Sequence, residues 1–465
     1  MNMINVRRLT VMTFLGAGML SGISAQVSPL QVDTLKETKI PDQWDLQSCI
    51  DYAKEQNITI RKNRITAVST QIDVKTAKAA LFPSLSFSTG HQVVNRPYQE
   101  TSSRVSGSEI ISSNSKTSYN GNYGLNASWT LYNGNKRLKT IQQEKLNNQM
   151  AELDVATSEN NIQESIAQVY IQILYAAESV KVNENTLQVS IAQRDRGQEL
   201  LNAGSIAKSD LAQLEAQVST DRYQLVTAQA TLEDYKLQLK QLLELDGENE
   251  MNIYLPALSD ENVLAPLPTK RDVYISALSL RPEIEASKLN VEASELGINI
   301  AKSSYFPTIS LSAGIGTNHT SGSDFTFGEQ VKNGWNNSIG LSVSMPIFNN
   351  RQTKSAVQKA KLQYETSMLS LLDEQKALYK TIESLWLDAN SAQQRYAAAN
   401  EKLKSTQISY ELISEQFNLG MKNTVELLTE KNNLLQAQQE QLQAKYMAIL
   451  NTQLLKFYQG DQLAL

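Results

Sequence analysis

The chain has 465 residues, 41% of them hydrophobic and 20% charged, with a formal net charge of −5, one cysteine and two histidines. That length suits about three domains. The acidic balance without a Lys/Arg cluster argues against a nucleic-acid partner, and one cysteine excludes an internal disulfide. No Gly-rich phosphate loop stands at a strand-to-helix junction and no Cys/His cluster exists, so no enzyme, no cofactor and no metal site is expected.

Residues 1–25 place Arg7 and Arg8 before an apolar run from Leu9 to Leu20 and end on small residues at Ala25, the pattern of a secretory signal peptide. The run is too short for a spanning helix of ~20 residues. No cysteine lies near the expected cleavage site, so no lipid anchor is expected. A helix is predicted over about 45–80, with Cys49 as a small buried packing residue.

Two strands follow, about 84–94 and 119–132, separated by a long loop. In the stretch YNGNYGLNASWTLYNG, Tyr119, Tyr123, Leu125, Trp129 and Leu131 alternate with Asn120, Asn122, Asn126, Ser128 and Thr130. Period two means one apolar and one polar strand face. Two readings arise, a sheet over a soluble core or a membrane strand between lipid and water. The small polar face is too uniform for a sandwich.

A very long helix is predicted from about 135 to 201, interrupted only by Gly197, and could run ~95 Å. Its apolar stripe is sparse, which suits helix-on-helix packing better than a thick core. A break at Gly204 leads into a helix over about 206–244. Pro-rich residues 254–270 then separate a second copy of the plan. KAALFPSLSFSTG at 78–90 returns as KSSYFPTISLSAG at 302–314, and GLNASWTLYNG from Gly124 returns as GLSVSMPIFNN from Gly340. Strands are expected at about 308–318 and 335–348, and helices at about 271–304, 351–419 and 423–459, with the second break at Gly420. The halves are therefore 26–253 and 271–465.

All four strands carry their larger apolar residues on odd positions, among them Leu125, Trp129, Leu311, Leu341 and Val343, which become the expected lipid-facing positions. Aromatics at Tyr119, Tyr132, Trp335 and Phe348 bracket the strand ends, as interfacial girdles do. Four strands cannot close a barrel, and an open edge in lipid leaves backbone groups unpaired at several kcal/mol each. Membrane strands of this kind therefore require several chains. His91 and His319 fall at non-matching points of the repeats and read as isolated surface residues.

The signal peptide, the FP entry to each strand pair, the LYNGNKR and IFNNRQT exits into long helices and the Gly-centred breaks together resemble the TolC family of outer-membrane efflux channels. The resemblance implies a mainly α fold with long antiparallel helical hairpins forming a periplasmic α-barrel. Four β-strands per chain would enter a shared trimeric 12-stranded barrel. It also implies a homotrimer in outer-membrane lipid, a periplasmic adaptor (membrane fusion) protein and an inner-membrane pump, hence an exit duct for efflux or type I secretion. A trimeric surface stalk or adhesin and a soluble periplasmic helical scaffold are the competing readings.

By the same resemblance, Gly204 and Gly420 are tip turns, and Asp210, Lys422 and Glu426 are candidates for a periplasmic gate. The basic position holds Lys, so a bidentate clamp on a carboxylate is unavailable. Helix capping explains the same carboxylates, and both roles can hold together.

Overall fold

The computed structural model describes residues 40–98, 102–106, 109–113, 116–246, 251–256, 263–321 and 325–463. The expected signal peptide lies outside these residues, as do parts of the Pro-rich linker. Asp45 accepts from Ser48 N at 2.7 Å and opens helix α1, Leu46–Gln56. Asn57 then breaks the helix expected over 45–80. Its backbone is extended (φ −60°, ψ 127°), and its side chain caps α2, Ile58–Ala79, by accepting from Thr59 N and Ile60 N. The second copy breaks at the same place. Arg281 takes φ −74°, ψ 123° ahead of Pro282, dividing α5, Lys270–Leu280, from α6, Pro282–Ser303. The proline forbids the helical region to the residue before it and itself suits the first helical turn.

Strand β1 is Ser84–Asn95 and β4 is Thr117–Asn133. The intervening segment, expected as loop, holds a hairpin of β2, Ser102–Ser106, and β3, Glu109–Ser113. Strand β5 is Thr308–Thr320 and β6 is Asn336–Ser344. The short helix α7, Phe327–Asn333, lies between them, opened by a reciprocal Thr326/Glu329 cap. Strand β6 stops short of the expected 348 because Pro346 offers no N–H to a ladder. The four long strands form one antiparallel sheet in the order β1-β4-β5-β6.

Helices α3, Lys136–Asn202, and α8, Gln352–Asn418, have 67 residues each and would run about 100 Å. Each folds back on a shorter partner, α4 (Lys208–Leu242) or α9 (Thr424–Gln459). The short helices stack end to end. Asn57 donates its side-chain amide to Leu242 O at 3.0 Å, joining α4 to α2, and Gly460 at the end of α9 packs on Leu280, the last residue of α5 before α6 begins. Both composite rods lie against long helices, since α2 packs on α3 and α6 packs on both α3 and α8.

Core material gathers where the rods join. Trp44, Ile50, Ile166, Tyr170, Leu174, Leu239 and Leu454 form one buried cluster. A two-way backbone pairing of Trp44 with Asn252 and Tyr254 closes it, and Tyr170 donates its hydroxyl to Tyr254 O at 2.6 Å. Val273, Ile284, Leu378, Ile382 and Leu455 form a second cluster. Val263, Ala392, Tyr396, Ala444 and Ala448 form a third. Among the described residues no helix is long and apolar enough to cross a membrane, which leaves the sheet as the element to weigh.

Candidate functional site

The sheet registers bring the expected lipid-facing residues onto one surface. Leu125 pairs with Phe87 and Ile315, Trp129 with Leu311, Leu311 with Leu341, and Ile309 with Val343. Opposed residues in an antiparallel ladder share a face, so these form a continuous apolar patch. Phe87 is 68% exposed, Leu341 65% and Val343 63%. A bulge at Leu131 shifts the parity, so Tyr132 pairs with Ile309 and joins the apolar side. The other surface pairs Ser128 with Ser84 and Ser312, Ser310 with Ser342, and Asn126 with Ser86 and Gly314. Its side chains bond to one another, as in Ser84 Oγ to Ser128 Oγ at 2.8 Å. Both outer strands, β1 and β6, are paired on one side only within the chain.

At the end of the sheet remote from the long helices, the two histidines meet the same residue. His91 and His319 both pair with Gly121, and both flank Tyr119. Tyr119 Oη lies 2.6 Å from His91 Nδ1, with the rings stacked at 5.7 Å, and His319 meets Tyr119 edge-on at 5.6 Å. The expectation of isolated histidines is therefore corrected. The repeats hid the contact, because residues at unmatched repeat positions can still share a register across β4.

At the opposite end, strand passes into helix through paired left-handed residues, Gly134 and Asn135 in the first copy, Asn350 and Arg351 in the second. A Cβ at Gly134 would sit 2.6 Å from Ser303 O. Arg137 donates to Ala80 O at 2.5 Å and to Thr130 O, tying α2, β4 and α3 together. Trp129 Nε1 donates to Leu81 O at 2.7 Å, which orients the indole at this rim.

The far helix ends carry the remaining expected residues. Gly204 and Gly420 adopt φ +75° and +76°. In each, the glycine N–H and the next N–H return to the helix: Gly204 to Leu201 O and Ser205 to Leu200 O, Gly420 to Phe417 O and Met421 to Gln416 O. These are Schellman turns. Asp210 accepts from Ala207 N at 3.0 Å, but the Ala207 methyl group has no acceptor to return the bond, so the cap is one-sided. Glu426 and Asn423 cap reciprocally, at 2.9 and 3.3 Å. Lys422 Nζ lies 2.7 Å from Glu426 Oε1. The Lys422 ammonium first, then the Asn423 N–H, hold the Glu426 carboxyl below its ordinary value. Among the described residues Asp210 makes no ion pair with Lys422, so within one chain the three groups form two separate caps.

Comparison with known proteins identifies this arrangement. The chain is 24% identical over 294 residues to the outer membrane efflux protein BepC of Brucella suis, a match spanning 63% of this chain and 61% of that protein. It is 22% identical to the toxin and drug export protein A of Aggregatibacter actinomycetemcomitans over 428 residues, 89% of this chain and 87% of that one. Among solved structures, the outer membrane protein VceC from Vibrio cholerae shares the fold with a TM-score of 0.73 at 16% identity, covering 90% of this chain and 97% of that one. Finally, the family model described as outer membrane efflux protein matches residues 49–244 and 273–460, one match in each repeat, and the chain belongs to that family of outer-membrane proteins.

Proposed function

We propose that this chain is the outer-membrane exit duct of a tripartite efflux or type I secretion system. In this reading three copies assemble, and each contributes four strands to a twelve-stranded barrel that continues into a helical tunnel. Residues 26–253 and 271–465, on either side of the 254–270 linker, are two copies of one unit. A periplasmic adaptor and an inner-membrane pump supply substrate at the Gly204 and Gly420 tips, and the tunnel conducts it passively.

The observation that carries the reading is the sheet, with one exposed apolar face, one small polar face and two open edges. Lipid satisfies the first, water the second, and neighbouring copies the third. The edge helices support the same assembly. Helix α2 exposes Ile58, Ile65 and Ile72, seven residues apart, and α8 exposes Leu362, Leu369, Leu372 and Tyr379 at intervals of seven, three and seven. Those spacings form seams suited to helix-on-helix packing. The relatives include an export protein for toxins and drugs and a cation efflux system protein, and so span several cargo classes, in keeping with a duct that leaves selection to the pump.

The test is reconstitution. Detergent-extracted protein is expected to run as a heat-modifiable trimer and to form discrete channels in planar bilayers. A monomer, or trimers that never conduct, would overturn the reading.

A further inference from the structure

Four helices meet the sheet, and each carries lysine where it does so. The last ten residues of α2 and α6 and the first ten of α3 and α8 hold ten Lys or Arg and three acidic residues, a net +7. The chain as a whole stands at −5, so the remainder carries −12 (−5 − 7). No basic run marks this concentration in the sequence, because four separate helix ends contribute to it. Arg137 is tied into the strand-to-helix junction, and Lys139 Nζ lies 3.4 Å from Asn299 O. Lys75, Lys78, Lys145, Lys302, Lys354 and Lys361 are exposed, and among the described residues none of these six forms an ion pair.

Helix stability does not account for them. Lys78 and Lys302 suit the negative C-terminal ends of α2 and α6. Helices α3 and α8, however, begin at this height, and their first turns hold Lys136, Arg137, Lys139 and Lys354 with no acidic residue. Positive charge at a helix N-terminus opposes the macrodipole. Lysine therefore follows height along the molecule rather than helix direction, the pattern that an anionic layer at that height requires.

That height is a boundary. Phe82, Tyr305, Phe306 and Phe348 are exposed at the same junction, next to the apolar face of the sheet, and exposed aromatic rings of this kind mark a lipid–water interface. At the helical rise, all six lysines start within about 14 Å of the sheet, and their long stems can lean back toward it. At least two of the helices present theirs on the lipid side. Lys145 stands two turns beyond Leu138, which lines one hollow with Leu81 and with Trp129 of the apolar face. Lys75 stands three turns beyond Arg64, whose guanidinium lies 2.8 Å from Glu159, and Glu159 stands four turns beyond Lys145.

We propose that these lysines form a collar that binds the phosphate headgroups of anionic phospholipids in the bilayer leaflet on the helical side of the sheet. The inference needs the sheet to lie in a bilayer, and does not need the duct to conduct. A zwitterionic headgroup carries its own cation beside the phosphate, whereas a net anionic one presents uncompensated charge to the unpaired ammonium groups. Apolar residues above, aromatics at the boundary and lysines below then fix the depth of the barrel in its membrane.

The test is native mass spectrometry of the full-length trimer, released from detergent micelles doped with equal amounts of phosphatidylglycerol and phosphatidylcholine of the same acyl chains. Wild type is expected to retain phosphatidylglycerol over phosphatidylcholine by about fivefold or more. Lys75→Gln/Lys78→Gln/Lys354→Gln/Lys361→Gln is expected to lose most of that preference. Lys376→Gln/Lys380→Gln, at exposed sites of α8 more than about 35 Å from the sheet, is expected to keep it. Equal retention of the two lipids by wild type, or an equal loss in both variants, overturns the collar. Inorganic phosphate added at constant ionic strength is expected to leave retention unchanged, and displacement of the lipid would mark a free-anion site and overturn the lipid assignment. Should the fourfold variant not yield trimers, Lys354→Gln/Lys361→Gln takes its place, and an undiminished preference there overturns the collar equally. Trimers that conduct but show no lipid preference overturn the collar alone and leave the duct reading standing.

Discussion

Gly204 and Gly420 hold left-handed φ angles with no atom within 4 Å of where a Cβ would stand, so a substitution there strains the backbone and touches nothing else. Gly→Ala is expected to cost about 1 kcal/mol at either site. Arg351 is the converse case. It holds φ +64° with a side chain, so Arg351→Gly is expected to be neutral or to stabilise by up to about 1 kcal/mol. Urea midpoints of the three variants check both signs, and a clear loss for Arg351→Gly would reject the argument. At Glu426 the pH dependence follows from the cap. A carboxyl held below its ordinary value of 4.5 adds stability that is fully present above that value and is lost as pH falls through the lowered one. The melting temperature of Glu426→Gln is therefore expected to fall below wild type at pH 6, with the difference shrinking as pH falls below the ordinary carboxylate value. A constant difference across that range would refute this. The glycine turns and the helix-start carboxylates were legible because Gly and Asp/Glu carry their reasons locally. The buried pair of Lys431 with Asp221, bonded also to Ser190, was not, although a lysine in the stripe Leu427–Lys431–Leu434 is a visible anomaly. Its partners lie 210 and 241 residues away, beyond the reach of any local pattern.

At the scale of elements, alternation made the sheet legible. The parity of odd and even positions agrees with the registers because a strand has no third face. What escaped depends on one or two residues each: the break at Asn57, the stop before Pro346, the parity shift at Leu131, and the β2–β3 hairpin in a segment without clear periodicity. The parity makes an asymmetric prediction on β6. Leu341 pairs with Leu311 on the apolar face, and Ser342 pairs with Ser310 on the polar one. Leu341→Arg is expected to cost about 2 to 4 kcal/mol if it lies near the bilayer midplane. Ser342→Arg is expected to assemble normally and to lower conductance by narrowing the lumen. The yield of heat-modifiable trimer and single-channel conductance measure the two effects. Equal loss of trimer at both positions would reject the two-sided sheet.

Across the whole molecule, strand order and helix order agree. Strands β1, β4, β5 and β6 lie side by side, and α2, α3, α6 and α8, the helices joined to them, pack in the same succession. Sheet and helical wall therefore share their two outer edges, β1 with α2 and β6 with α8, so any copy that completes the sheet must also pack along the wall. The heights of the exposed residues fit that contact. Measured along each helix from its strand end at about 1.5 Å per residue, Ile72, Ile65 and Ile58 of α2 stand at roughly 10, 21 and 31 Å, and Leu362, Leu369 and Tyr379 of α8 at roughly 15, 25 and 40 Å. The two stripes interleave as knobs and holes do. Head-to-tail packing of α2 on α8 gives a ring that closes when the rotation per copy divides a full turn. Ile65→Lys and Leu369→Asp each place one charge in this seam, and either is expected to lower trimer yield several-fold while the monomer keeps its helical circular dichroism. The two sites stand within about 4 Å of the same height on facing edges. Combining both substitutions therefore brings the new ammonium of one copy beside the new carboxylate of the next, and the double variant is expected to recover part of the trimer. Losses that merely add would place α2 against some surface other than α8, and the ring proposed here would have to be redrawn.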